Sequence, residues 1–272
     1  MLERAVGPLA AALNGLKPVL RYAILAAIAF SLPAPASAQT GGPRGERLIP
    51  ATFTQKKDAL GFMWNLQHNG VLGRTTRMMI GNGMVLNVNG NQFYSNQIMS
   101  TPDGKEYVLH SSNNFGGVTV TRRILLHEKE GVLRYLDIFE NRGTMPLSVS
   151  VGLNTNCNNR YKDVSTDQGN VGGGSFGKKE TGILIRPSDK NHDSILFCAV
   201  SPRAKVRPVI NTQNKYSVTF SYQLAVPANG MVCLLHSVAQ RKTPAKLDAK
   251  SLGKLFKPLQ LSRLLKGIRA EF

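Results

Sequence analysis

The stretch Tyr216-Ser217-Val218-Thr219-Phe220-Ser221-Tyr222-Gln223-Leu224 decides the fold class. Large apolar residues take every second position and small polar ones the positions between, the period of an extended chain whose side chains leave alternately on two faces. One face belongs in a core and the other in water. Leu147, Val149, Val151 and Leu153 alternate with Ser148, Ser150 and Gly152 in the same way. Both segments are expected to be half-buried strands.

Outward from these, short runs of Val, Ile, Leu, Tyr and Phe fill 51–241, separated by turn signals such as Asp103-Gly104, Glu130-Gly131, Asn141-Arg142-Gly143 and Asn229-Gly230. The pattern predicts hairpins: 117–127 with 132–140, then 145–153, and later 215–226 with 231–241. About a dozen strands follow from the turn spacing, and helical periodicity is missing from this region. The expected class is all-β, a large antiparallel β-sandwich. From about residue 244 the period changes. Leu252, Leu255, Phe256 and Leu259, then Leu261, Leu264, Leu265 and Ile268, follow helical spacing, so two short C-terminal helices divided by Pro258 are expected. A single domain over 51–272 accommodates all of this.

The N-terminus carries a different message. Arg4, Lys17 and Arg21 precede the apolar run Tyr22 to Leu32, and Ala36-Ser37-Ala38 supplies small residues for cleavage, so 1–38 reads as a signal peptide and 39–50 as a flexible leader. The apolar run falls short of the roughly 20 residues that span a bilayer, and no later stretch reaches that length. The mature chain is expected to be exported, periplasmic or extracellular, without a transmembrane span. The formal charge of +18 falls to about +16 once the signal is removed, so the cationic excess belongs to the exported part.

Such a charge points to anionic partners: acidic polysaccharide, envelope glycolipid or an acidic surface protein. No aromatic stacking set is interleaved with the basic residues, so no specific nucleic-acid partner is predicted. Arg203, Lys205 and Arg207 alternate with Ala204 and Val206, which would line three cations along one face of a short edge strand. Lys254, Lys257, Arg263 and Lys266 lie in the basic tail, whose leucine face is expected to dock on the sheet. These seven residues are the binding candidates.

Catalytic and metal candidates are weaker, and no cofactor, metal ligand or catalytic residue is assigned. Asp163 and Asp167 lie in the polar, glycine-rich run 154–179, read as a mobile loop, and their spacing does not fit a calcium loop. The five histidines, His68, His110, His127, His192 and His236, include no pair at zinc-ligand spacing. His110 and His127 with Asp137 and Glu140 form the best acid-base set, and structural roles are expected for all four. Trp64 reads as core. Cys157 sits among asparagines and reads as exposed, whereas Cys198 and Cys233 read as small buried hydrophobes that pair if their strands adjoin.

Three further segments carry a resemblance: Trp64-Asn65-Leu66-Gln67-His68-Asn69-Gly70, Gly83-Met84-Val85-Leu86-Asn87-Val88-Asn89-Gly90, and Val132-Leu133-Arg134-Tyr135-Leu136-Asp137. With Asn141-Arg142-Gly143 and 236–241, this order resembles a poorly characterised β-sandwich domain of large bacterial exported proteins, over most of 53–269. The resemblance implies a surface or periplasmic sandwich and no activity. Where that domain tends to be Asp-rich, this chain has Arg74-Thr75-Thr76-Arg77, which leaves a ligand role there unsupported. A looser likeness, by strand count, is to the supersandwich of sugar mutarotases. The sequence thus predicts a non-catalytic envelope or extracellular module that binds an anionic polymer or partner protein. The alternatives are a carbohydrate-active enzyme of sandwich fold and a purely structural envelope domain, and enzyme activity is the less expected outcome.

Overall fold

A computed structural model describes residues 46–268, apart from 170–173, 190, 192, 201–203, 213, 244–247, 260, 266 and 267. The expected signal peptide, most of the leader, Arg203, Lys266 and His192 lie outside the described residues. In chain order the strands are β1 (Ile49–Pro50), β2 (Lys56–Lys57), β3 (Met63–Leu66), β4 (Leu72–Thr75), β5 (Ile80–Val88), β6 (Asn91–Gln92), β7 (Met99–Ser100), β8 (Glu106–His110) and β9 (Val118–His127). There follow β10 (Val132–Asn141), β11 (Leu147–Cys157), β12 (Tyr161–Thr166), β13 (Gly174–Ser175), β14 (Gly182–Pro187), β15 (Ser194–Cys198), β16 (Val209–Asn211), β17 (Ser217–Val226) and β18 (Gly230–Arg241).

Two antiparallel sheets result. The first runs β1-β7-β8-β9-β10-β18-β15-β14-β12, and the second β13-β16-β17-β11-β5-β4-β3-β2, with β6 on β5. Their inner faces close on one core, to which the first sheet gives Ile124, Tyr135 and Phe197 and the second Leu86, Val151 and Phe220. The alternation in β17 does what its period requires: Val218, Phe220, Tyr222, Leu224 and Val226 are buried, while Ser221, Gln223 and Ala225 are exposed. Tyr216 departs from the pattern. It precedes the strand, in a turn, and is half exposed.

The 117–127 and 132–140 segments pair as the turn at Gly131 predicts, from Val132 opposite His127 to Asn141 opposite Val118. The other two expected hairpins do not form. β10 is already flanked by β9 and β18, so the chain leaving it crosses to the second sheet, where β11 lies between β5 and β17. β17 and β18 likewise sit in different sheets. Asn141 ties both crossovers together: its Nδ2 donates to the carbonyls of Met145 and Pro227, and its Oδ1 accepts from Gly143 N. A turn signal marks where a chain reverses, and both a hairpin and a crossover need that reversal.

The stretch 154–179 also differs from expectation. Inward alternation in β11 continues through Thr155 to Cys157, so Cys157 is buried, and β12 and β13 follow within the supposed loop. Burial pushes the Cys157 thiol up to about 12. Order also begins earlier than residue 51, because β1 pairs with β7 and Glu46 reaches the buried Arg123, with Nη1 to Oε2 at 2.6 Å.

The C-terminal segment forms α1 (Ala249–Phe256), a 3-10 turn from Lys257 through Leu259, and one helical turn, α2 (Leu261–Leu264). Asp248 caps α1, accepting from Ser251 N at 2.7 Å. Leu252, Phe256, Leu259 and Leu264 pack on Val132, Leu184, Leu196 and Ala239, which point outward from the first sheet. The central strand β10 is therefore covered on both faces, consistent with its nearly continuous burial. Among the described residues, no helix is long and apolar enough to cross a membrane.

Candidate binding site

A cavity of about 600 Å³ opens beside β4 and β5, lined by Gln67, Gly73, Arg74, Arg77, Gly81, Asn158 and Asn159. Two glycines make its floor. The β3-β4 ladder is irregular: Asn65 faces Arg74 but Leu66 faces Leu72, which leaves Gly73 as the extra residue of a bulge. A Cβ at Gly73 would fall 2.2 Å from Gln67 Cδ, and one at Gly81 would fall 1.9 Å from Asn158 Oδ1. Both side-chain amides therefore lie directly over bare backbone.

The turn carrying the arginines is held from several sides. Thr76 N donates to Gln240 Oε1 at 2.8 Å, and Gln240 Nε2 donates to Met63 O at 2.7 Å, so a buried amide from the first sheet anchors it. Thr75 Oγ1 accepts from Ile80 N, and Thr76 Oγ1 accepts from Met63 N. These bonds hold Arg77 at a φ of 55°, in the left-handed region that costs a non-glycine residue about 1 kcal/mol. Strain of this kind persists only where its surroundings over-determine it.

Arg77 donates to Asn191 O and lies 4.0 Å from Asp193. Arg74 is exposed, and among the described residues no carboxylate pairs with it. The described lining holds no carboxylate, imidazole or thiol. The Arg74 guanidinium can present a forked donor pair to an anion, Arg77 adds positive charge beside it, and the three amides can meet neighbouring hydroxyls.

The residues singled out from sequence lie elsewhere. Residues 204–208 form no strand, and Arg203 lies outside the described residues. Pro208 brings no backbone N–H to extend the β16 ladder, and Arg207 instead donates to the carbonyls of Lys178 and Glu180. Lys205, Lys254 and Arg263 are exposed, and Lys257 lines a second cavity beneath the C-terminal segment.

The acid-base set is dispersed. His110 Nδ1 lies 3.0 Å from Thr121 Oγ1, and Glu140 pairs with Arg142. Asp137 is in the core, where Arg122 donates to it through Nε at 2.7 Å and Nη2 at 3.0 Å. His236 Nε2 lies 3.8 Å from Asp137 Oδ2, and Nδ1 lies 3.4 Å from the Tyr222 hydroxyl. Burial pushes His236 down to about 4, so the ring is neutral, and neither His236 nor Asp137 lines the described cavities. Asp163 pairs with Arg186, and Asp167 accepts from Thr181 N and Oγ1, so the two do not share an ion site. Cys198 sits opposite Ser237 on β18, four residues from Cys233, and both thiols are free.

No family model matches the chain. No curated protein matches it either. Among solved structures, the heparan sulfate lyase HepC from Pedobacter heparinus is similar at 8% identity and a TM-score of 0.45, covering 76% of this chain and 38% of that one. A protein assigned as a kojibiose phosphorylase from the human microbiome aligns at 14% identity and 0.43, over 75% of this chain and 30% of its own. The chain thus spans about a third of the length of these two proteins. A galactose mutarotase-like protein from Lactobacillus casei ATCC 334 aligns at 8% and 0.43, over 70% of this chain and 100% of that one. These likenesses are loose ones of strand arrangement and assign no activity, substrate or residue role.

Proposed function

We propose that the chain is an exported carbohydrate-binding module that takes an acidic saccharide segment in the Arg74–Arg77 cavity. The observation carrying this reading is the lining itself: two guanidinium groups and three amides around a glycine floor, in about 600 Å³. Arginine forks match carboxylate and sulfate geometry, and side-chain amides match sugar hydroxyls. The formal charge, +18 for the full sequence and about +16 without the expected signal, attracts polyanions from a distance and leaves selection to the cavity.

Calorimetry with oligogalacturonate, a sulfated oligosaccharide and neutral maltooligosaccharide tests the proposal. Binding of an acidic ligand should weaken at least tenfold in the Arg74→Ala/Arg77→Ala variant and as salt rises. Equal binding of the neutral sugar, or an unchanged affinity in the variant, refutes it. Release of shorter products during incubation would replace binding with catalysis. Export is tested by N-terminal sequencing of protein from the periplasm or medium, which should begin at Gln39.

A further inference from the structure

The second cavity, of about 640 Å³, is lined by the C-terminal segment, by β18 and the end of β15 in the first sheet, and by Tyr222 of β17 in the second. We propose that it binds a single-chain carboxylate amphiphile, with the alkyl chain under α1 and the headgroup at Lys179 and Lys257. The lining is largely apolar: Leu235 on β18 and Phe256, Leu259 and Leu264 on the C-terminal segment, together with the small Ala199 and Ala204. The polar groups sort themselves. Asp167 is engaged by Thr181, and the Tyr222 hydroxyl donates to Ala199 O at 2.7 Å. Lys179 and Lys257 are exposed, and among the described residues neither has a carboxylate partner. An apolar chamber carrying two unpaired ammonium groups complements a chain with one negative end.

Gly253 supplies an independent observation. It is an exposed residue of α1 at the rim of this cavity, and a Cβ there would meet nothing within 4 Å. Glycine inside a helix is unfavourable relative to alanine, and no neighbour in the chain requires it here.

The cavity also contains its own reporters, because the half-buried Cys198 and Cys233 line it while Cys157 lies in the core. The full chain is treated with N-ethylmaleimide and the labelled peptides are quantified by mass spectrometry. Laurate, below its micelle concentration, should slow labelling of Cys198 and Cys233 at least tenfold and leave Cys157 unreactive throughout. Dodecyltrimethylammonium should not protect. Lys179→Gln/Lys257→Gln should weaken laurate binding at least tenfold, and Gly253→Leu should abolish it while oligogalacturonate binding at the arginine cavity persists in both variants. Unchanged labelling with laurate, equal protection by the cationic analogue, or protection only by phosphatidylglycerol vesicles overturns the proposal. If oligogalacturonate fails to bind even the unaltered chain, melting temperature serves as the folding control for each variant. The two sites therefore fail separately.

Discussion

Replacing Asp137 with asparagine should destabilise the protein by about 3 to 5 kcal/mol, the usual result of stranding a buried charge. Arg122 and Asp137 are both fully buried. Arg122 also donates Nη1 to Met84 O at 2.6 Å, and its guanidinium lies 4.9 Å from the Tyr135 ring centre. The pair therefore joins β9 and β10 of the first sheet to β5 of the second. The substituted amide would keep the shape and one acceptor but lose the charge, leaving a cation in the core with only carbonyl and ring partners. With a urea m-value of about 3 kcal/mol/M, the unfolding midpoint should fall by roughly 1 to 2 M. Urea titration followed by Trp64 fluorescence reads this directly. Arg122→Met/Asp137→Leu should recover most of the loss, to within about 2 kcal/mol of the unaltered chain, because a packed apolar pair has no charge to solvate. A single variant within about 1 kcal/mol of the unaltered protein would refute the reasoning, since the cation would then have found another partner.

Three further outcomes follow from the same structure. His236 titrates near 4 when folded against 6.5 when unfolded, so the unfolded chain binds more protons between those values. Stability should fall by about 3 kcal/mol as pH drops from about 6.5 to about 4, and His236→Gln should lose that part of the slope in urea titrations at stepped pH. An identical slope in the variant would sink the assignment. Gly81→Ala should push Asn158 off the cavity floor and weaken acidic saccharide binding about three- to tenfold, with thermal unfolding changed by less than about 0.5 kcal/mol. Unaltered calorimetric affinity would remove Asn158 from the site. Glu106 joins Arg123 and Arg134, and Glu106→Gln should cost about 3 kcal/mol in chemical denaturation. A loss under about 1 kcal/mol would make the cluster energetically idle.

What was legible in the sequence is what local periodicity encodes. The alternation in β17 and β11 assigns inner and outer faces correctly, and the helical spacing of Leu252, Phe256 and Leu259 identifies the face that docks. Both signals arise within a few residues of the side chains they describe. Sheet membership was not legible at Asn141 or Asn229, because the destination of each chain depends on strands far away in sequence: β5 and β17 for β11, and β10 and β15 for β18. Cys157 was misread for a related reason. Its asparagine neighbours are polar, yet its parity in β11 keeps it on the inner face. The arginine cavity was hidden most deeply. Arg74 and Arg77 lie near each other in sequence, but the turn that aims them is anchored by Gln240, and Asn158 completes the floor from another strand's end. The nearby local sign was the presence of Gly73, Gly81 and Gly83 within two strand-forming segments, which marks close approach without naming what approaches.

Charge and cavity divide the work of recognition, and the fold itself sharpens the division. The chain has 34 Lys and Arg against 16 Asp and Glu. Several of those carboxylates are committed internally: Asp137 to Arg122, Glu46 and Glu106 to Arg123, Asp163 to Arg186, and Asp58 to Trp64 Nε1 and the backbone N–H groups of Leu60 and Phe62. Carboxylates held this way cannot balance exposed lysines, so the outward field is dominated by ammonium groups. Such a field hastens encounter with any polyanion and distinguishes poorly among them. Discrimination requires donors at fixed positions, which flexible lysines on a helix do not supply. The turn held by Gln240, Thr75 and Thr76 fixes the backbone that carries Arg77, and Arg77 is held further by Asn191 O. Neutralising exposed lysines such as Lys205 and Lys254 should therefore lower the association rate and its salt dependence. Removing Arg74 and Arg77 should instead raise the dissociation rate of the acidic ligand. If both changes acted only on association, the arginines would be part of the general field and the cavity would have no selective role.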